Sequence, residues 1–291
     1  MRIGSIQYIN SLPVDFGFLS GNIPFSAEVV RGVPADLNQK MLDGLLDISP
    51  VSVFWYARHQ SRFLVLPNIS ISSESGAQSV LLFSRYPLKE LAGKTIALTG
   101  EGRTTPVLLE ILCRKFWGFE PHFKNLENLQ EDILKNSEAA LLIGDQALLH
   151  RRKFINSGLY ITDLAEEWRR LTGLGFVFAV WVCQSDFFKK SPEIAKGAYE
   201  TILLSKKWGL SHRQEIMAEA RWRTTLPEAE LNAYFSCLSY ELDSSLLRGM
   251  ALYFQYACEL GLLPPLEPMT FLERNLDSEG KYVYNKLLSR G

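Results

Sequence analysis

The stretch Thr172-Gly-Leu-Gly-Phe-Val-Phe-Ala-Val-Trp181 decides how the rest of the chain is read. A Thr-Gly turn ends a polar, helix-like segment and opens directly into an unbroken apolar run, Phe176 to Cys183. A bilayer span needs about 20 apolar residues, so this run is too short to cross one. It has the length of a strand buried on both faces. It falls about two-thirds of the way along the chain, where a chain that has visited a second lobe would cross back to its first. A strand in that position belongs to a hinge, and a hinge between two lobes makes a cleft.

Outward from that strand, helix and strand signals alternate, which predicts α/β architecture. Residues 2–9 read as a first strand, followed by a short helix from Leu12-Pro13 to about Leu19 that Ser20-Gly-Asn22 breaks. Ala27 to Arg31 reads as a strand. Pro34 opens a helix with Leu37, Met41, Leu42 and Leu45 on one face. A short strand at Leu46 to Ser49 leads to a helix from Val51 or Ser52 to about His59, then strands at Phe63 to Leu66 and Ser79 to Ser84. Lys94 to Thr99 begins a second unit: a Gly-rich turn, a helix from Pro106 to about Trp117, a strand near 121–125, a helix near 128–136 and the strand Ala139 to Ile143. A short helix after Asp145 and another at Asp163 to Leu171 precede the return strand, and residues 191–291 read as mostly helical. The expected division is one lobe of residues 1–84 plus 184–291 and a second of 85–183.

Bulk properties narrow the function. The 291 residues are 47% hydrophobic and 22% charged, enough for a substantial core. Lysine plus arginine total 31 against 32 acids, a formal charge of −1, which supplies no global field for nucleic acid or anionic lipid. The cysteines at 113, 183, 237 and 258 and the histidines at 59, 122, 150 and 212 have no metal-ligand or redox spacing, so no metal site is expected. Met1 to Ile9 reads at once as a strand, not as a basic start with an apolar stretch and a cleavage site, which predicts a cytoplasmic protein with reduced thiols.

Three segments suit an anion without side-chain charge. In Thr99-Gly-Glu-Gly-Arg-Thr-Thr-Pro106 the glycines let backbone approach a ligand, Thr104 or Thr105 can cap a helix, and Pro106 suits its first position. The exposed N–H groups of such a helix start favour a carboxylate. Ser49-Pro-Val-Ser52 stands between a strand and a helix, where Ser52 is either a plain cap or a ligand donor. In Ile143-Gly-Asp145, Gly144 permits close approach after a buried strand, and Asp145 is a helix cap or an acid at a cleft edge. Asn10 lies just beyond the first strand and Ser79 opens another, but neither has an adjacent base, and no Ser/His/Asp triad spacing appears. Trp55, Tyr56 and Trp181 are either core or the lining of a ring-binding cleft. Neither a phosphate loop nor a dinucleotide fingerprint is present, which disfavours nucleotide cofactors.

Two α/β units joined by two crossings, with a helical tail, resemble the two-lobed periplasmic-binding-protein type II architecture. Several segments together carry a closer resemblance. They are Arg2-Ile-Gly-Ser-Ile6 with Tyr8-Ile-Asn10, Val33-Pro-Ala-Asp-Leu-Asn38, Leu46-Asp-Ile-Ser-Pro-Val-Ser52, Ser79-Val-Leu-Leu-Phe-Ser84, Leu141-Leu-Ile-Gly-Asp145, and Glu167-Trp168 with Thr172-Gly through Trp181. As a set, spanning about residues 1–184, they are similar to the chorismate dehydratases of menaquinone biosynthesis by the futalosine pathway. The resemblance implies conversion of chorismate to 3-(1-carboxyvinyloxy)benzoate and water, with neither a metal nor an organic cofactor. It implies catalytic roles for Asn10 and Ser79, and with these the segment readings above make Ser52, Thr104 and Thr105 the expected carboxylate donors and Gly144 and Asp145 further substrate-binding candidates. Two positions depart from the pattern: Gly175 stands where a proline is expected, and Arg103-Thr-Thr-Pro106 varies a Ser/Thr-rich run. The competing readings are a solute receptor without catalysis and the sister enzyme that makes 1,4-dihydroxy-6-naphthoate.

Overall fold

The structure is a computed structural model that describes residues 1–100, 102–126 and 132–272. Its first strand, β1 (Arg2–Ile6), stops short of the expected residue 9. The chain turns tightly at Ile9–Ser11, held by the Ser11 hydroxyl donating to the Ile6 and Tyr8 carbonyls, and enters α1 (Leu12–Leu19). Then come β2 (Glu28–Gly32), α2 (Pro34–Leu42), β3 (Ile48–Ser52), α3 (Val53–His59) and β4 (Phe63–Ser73). The second run comprises β5 (Val80–Ser84), β6 (Thr95–Leu98), α4 (Thr104–Ile111), β7 (His122–Asn125), β8 (Ala139–Ile143), α5 (Gly144–Phe154), β9 (Tyr160–Asp163) and α6 (Leu164–Thr172). The return strand is β10 (Phe176–Gln184), followed by α7 (Ser185–Lys190), α8 (Pro192–Ser211), α9 (Arg213–Thr224), α10 (Glu228–Cys237) and α11 (Ser244–Glu259). Of the helix expected near 128–136, residues 127–131 lie outside the described residues and 133–136 form a turn. Of the helical region expected at 191–291, residues 273–291 lie outside them too.

The strands form two five-stranded sheets of the same plan. In the first the order is β2-β1-β3-β10-β4, with β1 parallel to β2 and β3, and β10 antiparallel to β3 and β4. In the second the order is β7-β6-β8-β5-β9, with β6 parallel to β7 and β8, and β5 antiparallel to β8 and β9. Each sheet thus admits one strand that runs against the others, and those two strands are the ones that follow the crossings. The crossings fall at residues 74–79 and 173–175. This differs from the expected boundaries at 84 and 184: Val80–Ser84 belongs to the second sheet and Phe176–Gln184 to the first. Both runs are apolar up to their last residues, Ser84 and Gln184, because both faces of each strand are covered. Such a run reveals its burial but not which sheet it joins.

The crossings are packed against the carboxy-terminal helices. A Cβ on Gly249 of α11 would lie 2.1 Å from the Gly175 carbonyl oxygen, so only a bare Cα allows α11 to press on the crossing. A side chain at Gly175 would in turn lie 2.8 Å from the Ser73 carbonyl oxygen, which accounts for glycine where the resemblance expects proline. The Gly175 carbonyl accepts from the Trp168 indole at 3.2 Å. Around it Trp168, Phe176 and Tyr253 pack edge-to-face, with Phe176 and Tyr253 centroids 5.2 Å apart. Tyr56 and Trp181 are buried core, whereas Trp55 is half-exposed. One continuous apolar cluster runs from Ile3 and Val51 through Phe176 and Tyr253 to Leu82 and Leu108, so the two sheets share a core.

The edge strand β4 is longer than the sequence suggested, because its Ser70 and Ser72 are not surface positions. Ser72 exchanges backbone hydrogen bonds with Ser239, and the Ser70 hydroxyl donates to the Glu241 carbonyl. Val65 pairs in the same way with Thr270 and Leu272. The segments flanking α11 therefore cover an edge that would otherwise offer unpaired N–H and C=O groups.

Under β1, Asp15 of α1 is fully buried, with its Oδ2 accepting from Ser5 at 2.6 Å. Burial raises its pKa to about 7, against the opposing hydrogen bonds of Ser5 and Ser11 and the charges of Arg31 and Arg223. The folded pKa lies above the unfolded one, so the native state holds a proton the unfolded chain has lost. Stability then declines as pH rises from about 4 to about 7 and levels off above. Two outcomes are expected in thermal denaturation. Asp15→Asn should flatten that decline, seen as a melting temperature less sensitive to pH across this window than in wild type. Gly249→Ala should lose about 1–3 kcal/mol by overpacking, outweighing the ~1 kcal/mol that alanine gains in helix propensity. A midpoint equal to or above wild type would contradict the close approach.

Candidate functional site

The strands β1, β3 and β8 end at one cleft between the two sheets, the place where α/β folds of this kind leave backbone and side-chain donors facing a ligand. The cleft encloses about 680 Å³ of space, its open mouth included. Among the described residues its walls carry no Asp, Glu, His, Lys or Arg. Ile6, Ile71, Val80, Phe178 and Leu238 provide the apolar surface. The polar groups are neutral: Tyr8, Asn10, Ser52, Ser79, Thr104 and Thr105.

Asn10 sits in the tight turn after β1. Its amide oxygen is buried and has no hydrogen-bond partner among the described residues. A buried carbonyl left unpaired costs roughly 1–3 kcal/mol, which a donor on a bound ligand would recover. The turn is fixed from the opposite side by Asp145, whose Oδ1 accepts from the Ile9 N–H at 3.2 Å. This corrects the expectation for Asp145. It is not among the residues that line the cleft, and it lies inside the first turn of α5 and not ahead of it; its Oδ1 helps to hold the segment that carries Asn10. Gly144 does line the cleft, at φ +61°, and a Cβ there would stand 3.2 Å from the Tyr8 ring, so the aromatic face packs on bare backbone.

Ser79 follows the first crossing. Its hydroxyl lies 3.3 Å from the Ala77 carbonyl and 3.3 Å from the Tyr234 hydroxyl of α10, both loose contacts. Burial pushes the Tyr234 phenol well above its usual pKa, so it keeps its proton and acts as a donor. The crossing itself is pinned by Asp163. That carboxylate caps α6 through Ala165 and Glu166, and also accepts from the Gln78 N–H at 2.6 Å, with Gln78 at φ 58°. The Gln78 side chain accepts from Arg151 at 2.7 Å and donates toward Cys237, tying the crossing to α5 and α10.

Thr104 and Thr105 open α4, but not as caps. The helix begins at Thr104, two residues before the expected start, and Pro106 falls at its third position. The Thr104 hydroxyl is turned out of its own helix because it accepts from the Phe54 N–H in the first turn of α3, at 3.1 Å. Its carbonyl accepts from the Tyr253 hydroxyl at 3.0 Å. Ser52 precedes α3 without a side-chain capping bond, and its hydroxyl meets only the Asn38 amide, at 3.5 Å. Asn10, Ser52, Ser79, Thr104, Thr105 and Gly144 thus share one cavity, drawn from both sheets. Tyr8, Tyr234 and Gln78 were not anticipated. Tyr8 stands two residues before Asn10 and was open to inference, but nothing local marks Tyr234, 155 residues from Ser79. Among the described residues no cluster of three His, Cys, Asp or Glu could hold a metal, and no helix is long and apolar enough to cross a membrane.

Comparison with known proteins agrees with this geometry. The fold is similar to that of a protein from Archaeoglobus fulgidus (18% identity, covering 90% of this chain and 98% of that one, TM-score 0.71). It is also similar to the periplasmic aliphatic sulphonate binding protein of Escherichia coli (12% identity, 94% and 93% covered, TM-score 0.64). A Candida albicans protein described as having the generic periplasmic binding protein fold matches with 13% identity, 92% of each chain covered and a TM-score of 0.67. The architecture is therefore the periplasmic-binding-protein fold. In sequence, a chorismate dehydratase from Thermus thermophilus is 30% identical over 259 residues, 84% of this chain and 90% of that protein. A family model described as menaquinone biosynthesis matches residues 1–259. With the model spanning both sheets and every wall of the cleft, the chain belongs to the menaquinone biosynthesis family.

Proposed function

We propose that the chain is a chorismate dehydratase, a carbon–oxygen lyase that removes water from chorismate to give 3-(1-carboxyvinyloxy)benzoate, with the two sheets acting as lobes that close on the substrate. The observation that carries this reading is the cleft itself: a neutral pocket in which the unpaired Asn10 amide oxygen and the loosely held Ser79 hydroxyl face the same space. The Thermus relative supplies the substrate class. The four free cysteines fit a reducing cytoplasm.

The elimination can proceed without a side-chain base. Loss of the C3 proton leaves an electron pair conjugated through the diene to the ring carboxylate. That pair becomes the new ring double bond as the C4–O bond breaks, and the departing hydroxide takes up the proton lost from C3 and leaves as water. Aromatisation drives the reaction. Donors from Ser52, Thr104 and Thr105 hold carboxylates, and those on the ring carboxylate stabilise charge as it develops. The enolpyruvyl carboxylate of the substrate removes the C3 proton, consistent with walls that carry no Asp, Glu, His or Lys among the described residues. Asn10 and Ser79 orient the reacting edge, the Asn10 oxygen accepting from the C4 hydroxyl and Ser79 donating to it as it leaves. Tyr234 holds the Ser79 hydroxyl in place from behind.

Incubating the pure protein with chorismate and following the aromatic enolpyruvyl ether by chromatography tests the reading. Stable binding without turnover would assign the cleft to a receptor. Asn10→Ala and Ser79→Ala should each lower kcat by about 100-fold or more, the range seen for lost transition-state donors, with KM changed only a few-fold. Near-normal kcat in both would remove them from the chemistry. Tyr234→Phe should lower kcat about tenfold with unchanged KM, and Ser79→Ala should hide that effect in the double variant, because Tyr234 acts only through Ser79.

A further inference from the structure

A second cavity opens just outside the cleft. Ser52 and Gly102 line both, so the two spaces adjoin. Unlike those of the cleft, the described residues of this vestibule include cations and no acid: Arg58 from the last turn of α3 and Arg103 immediately before α4 both line it. Both side chains are exposed, and neither has an ion-pair partner among the described residues. The Arg103 guanidinium lies 6.0 Å from the Phe54 ring, which steadies it over the opening. His59, on the same wall, has its pKa lowered by burial and then by the charges of Arg58 and Arg62, so it is neutral at pH 7 and the positive field there comes from arginine.

We propose that Arg58 and Arg103 form an electrostatic entrance that draws dicarboxylates into the cleft and selects them over monocarboxylates. The inference rests on the proposed reading that the substrate is a dianion. The cleft walls offer that dianion dipoles but no opposite charge, and the chain's net charge of −1 attracts no anion at a distance. A local cationic mouth is then what raises the encounter rate, and its pull on two negative charges is twice its pull on one. The arginines lie outside the reacting space, so they act on capture and not on the bond-breaking step.

The test compares wild type with Arg58→Gln, Arg103→Gln and the double variant, all at exposed positions where folding is checked by melting temperature. Turnover of chorismate is measured at ionic strengths of about 0.02 M and about 0.5 M, where the screening length falls from tens of ångströms to a few. The double variant should lose about tenfold in kcat/KM at low salt with kcat within about twofold, and the loss should shrink at high salt. Inhibition by isophthalate should weaken about tenfold in the double variant, and inhibition by benzoate far less. Unchanged kcat/KM and unchanged salt dependence overturn the inference, as does a loss of equal size at both salts, which would mean a local contact and not a field. These outcomes leave the functional reading standing if wild type turns chorismate over. A wild type that does not turn it over overturns that reading and this inference with it.

Discussion

The insertion of β10 between β3 and β4, antiparallel to both, is the constraint on which the rest of the structure depends. It brings the chain back to its first sheet and sets Phe176 opposite Ser73, so that the two crossings run side by side. Everything near them is packed to contact. Gly175 fits against the Ser73 carbonyl, Gly249 fits against the Gly175 carbonyl, and the Trp168 indole donates to that same carbonyl. Asp163 fixes the other crossing through Gln78, and Ser79 is the next residue. The geometry of Ser79 is thus inherited from the hinge. The aromatic residues of α6, β10 and α11 pack around the crossings, and of them Phe178 lines the cleft.

The division of labour in the cleft follows from burial. Charged groups that could have entered it are committed elsewhere: Asp145 to the Ile9 N–H, Asp163 to the start of α6, and Asp15 beneath β1. Among the described residues of the cleft the polar groups are hydroxyls, one carboxamide and backbone. Under the proposed function such groups would bind an anion without being neutralised by it and would leave the role of base to the substrate's own carboxylate. An amine or imidazole beside two carboxylates would instead be held protonated and could not take up the proton.

Much of this was legible from the residues. The return strand was marked by an apolar run of strand length, and the cleft residues by their position at strand ends: Asn10 after β1, Ser52 closing β3 and Gly144 after β8. Ser79 stood out as the one polar residue opening an apolar run. The unreadable parts share a cause, in that each depends on a partner distant in the chain. Asp145 has the local look of a cap or a ligand, and only the approach of Ile9, 136 residues away, decides otherwise. Thr104 has the local look of a cap until Phe54 takes its hydroxyl. The buried serines of β4 read as the end of a strand because the segment that pairs with them lies beyond α10. Sheet membership of β5 was hidden for the same reason, since an apolar run records that it is covered and not by what.

The bond from the Phe54 N–H to the Thr104 hydroxyl joins a helix of the first sheet to a helix of the second. Thr104 also lines the cleft, so its hydroxyl accepts from one helix while its own proton is not used by that bond. Under the proposed function that proton would meet a carboxylate, a neutral donor on a charged acceptor, worth about 1.5–3 kcal/mol. A pocket built from such bonds alone would retain its ligand lightly, so an aromatic product carrying the same two carboxylates would not be trapped by the very groups that admitted its precursor.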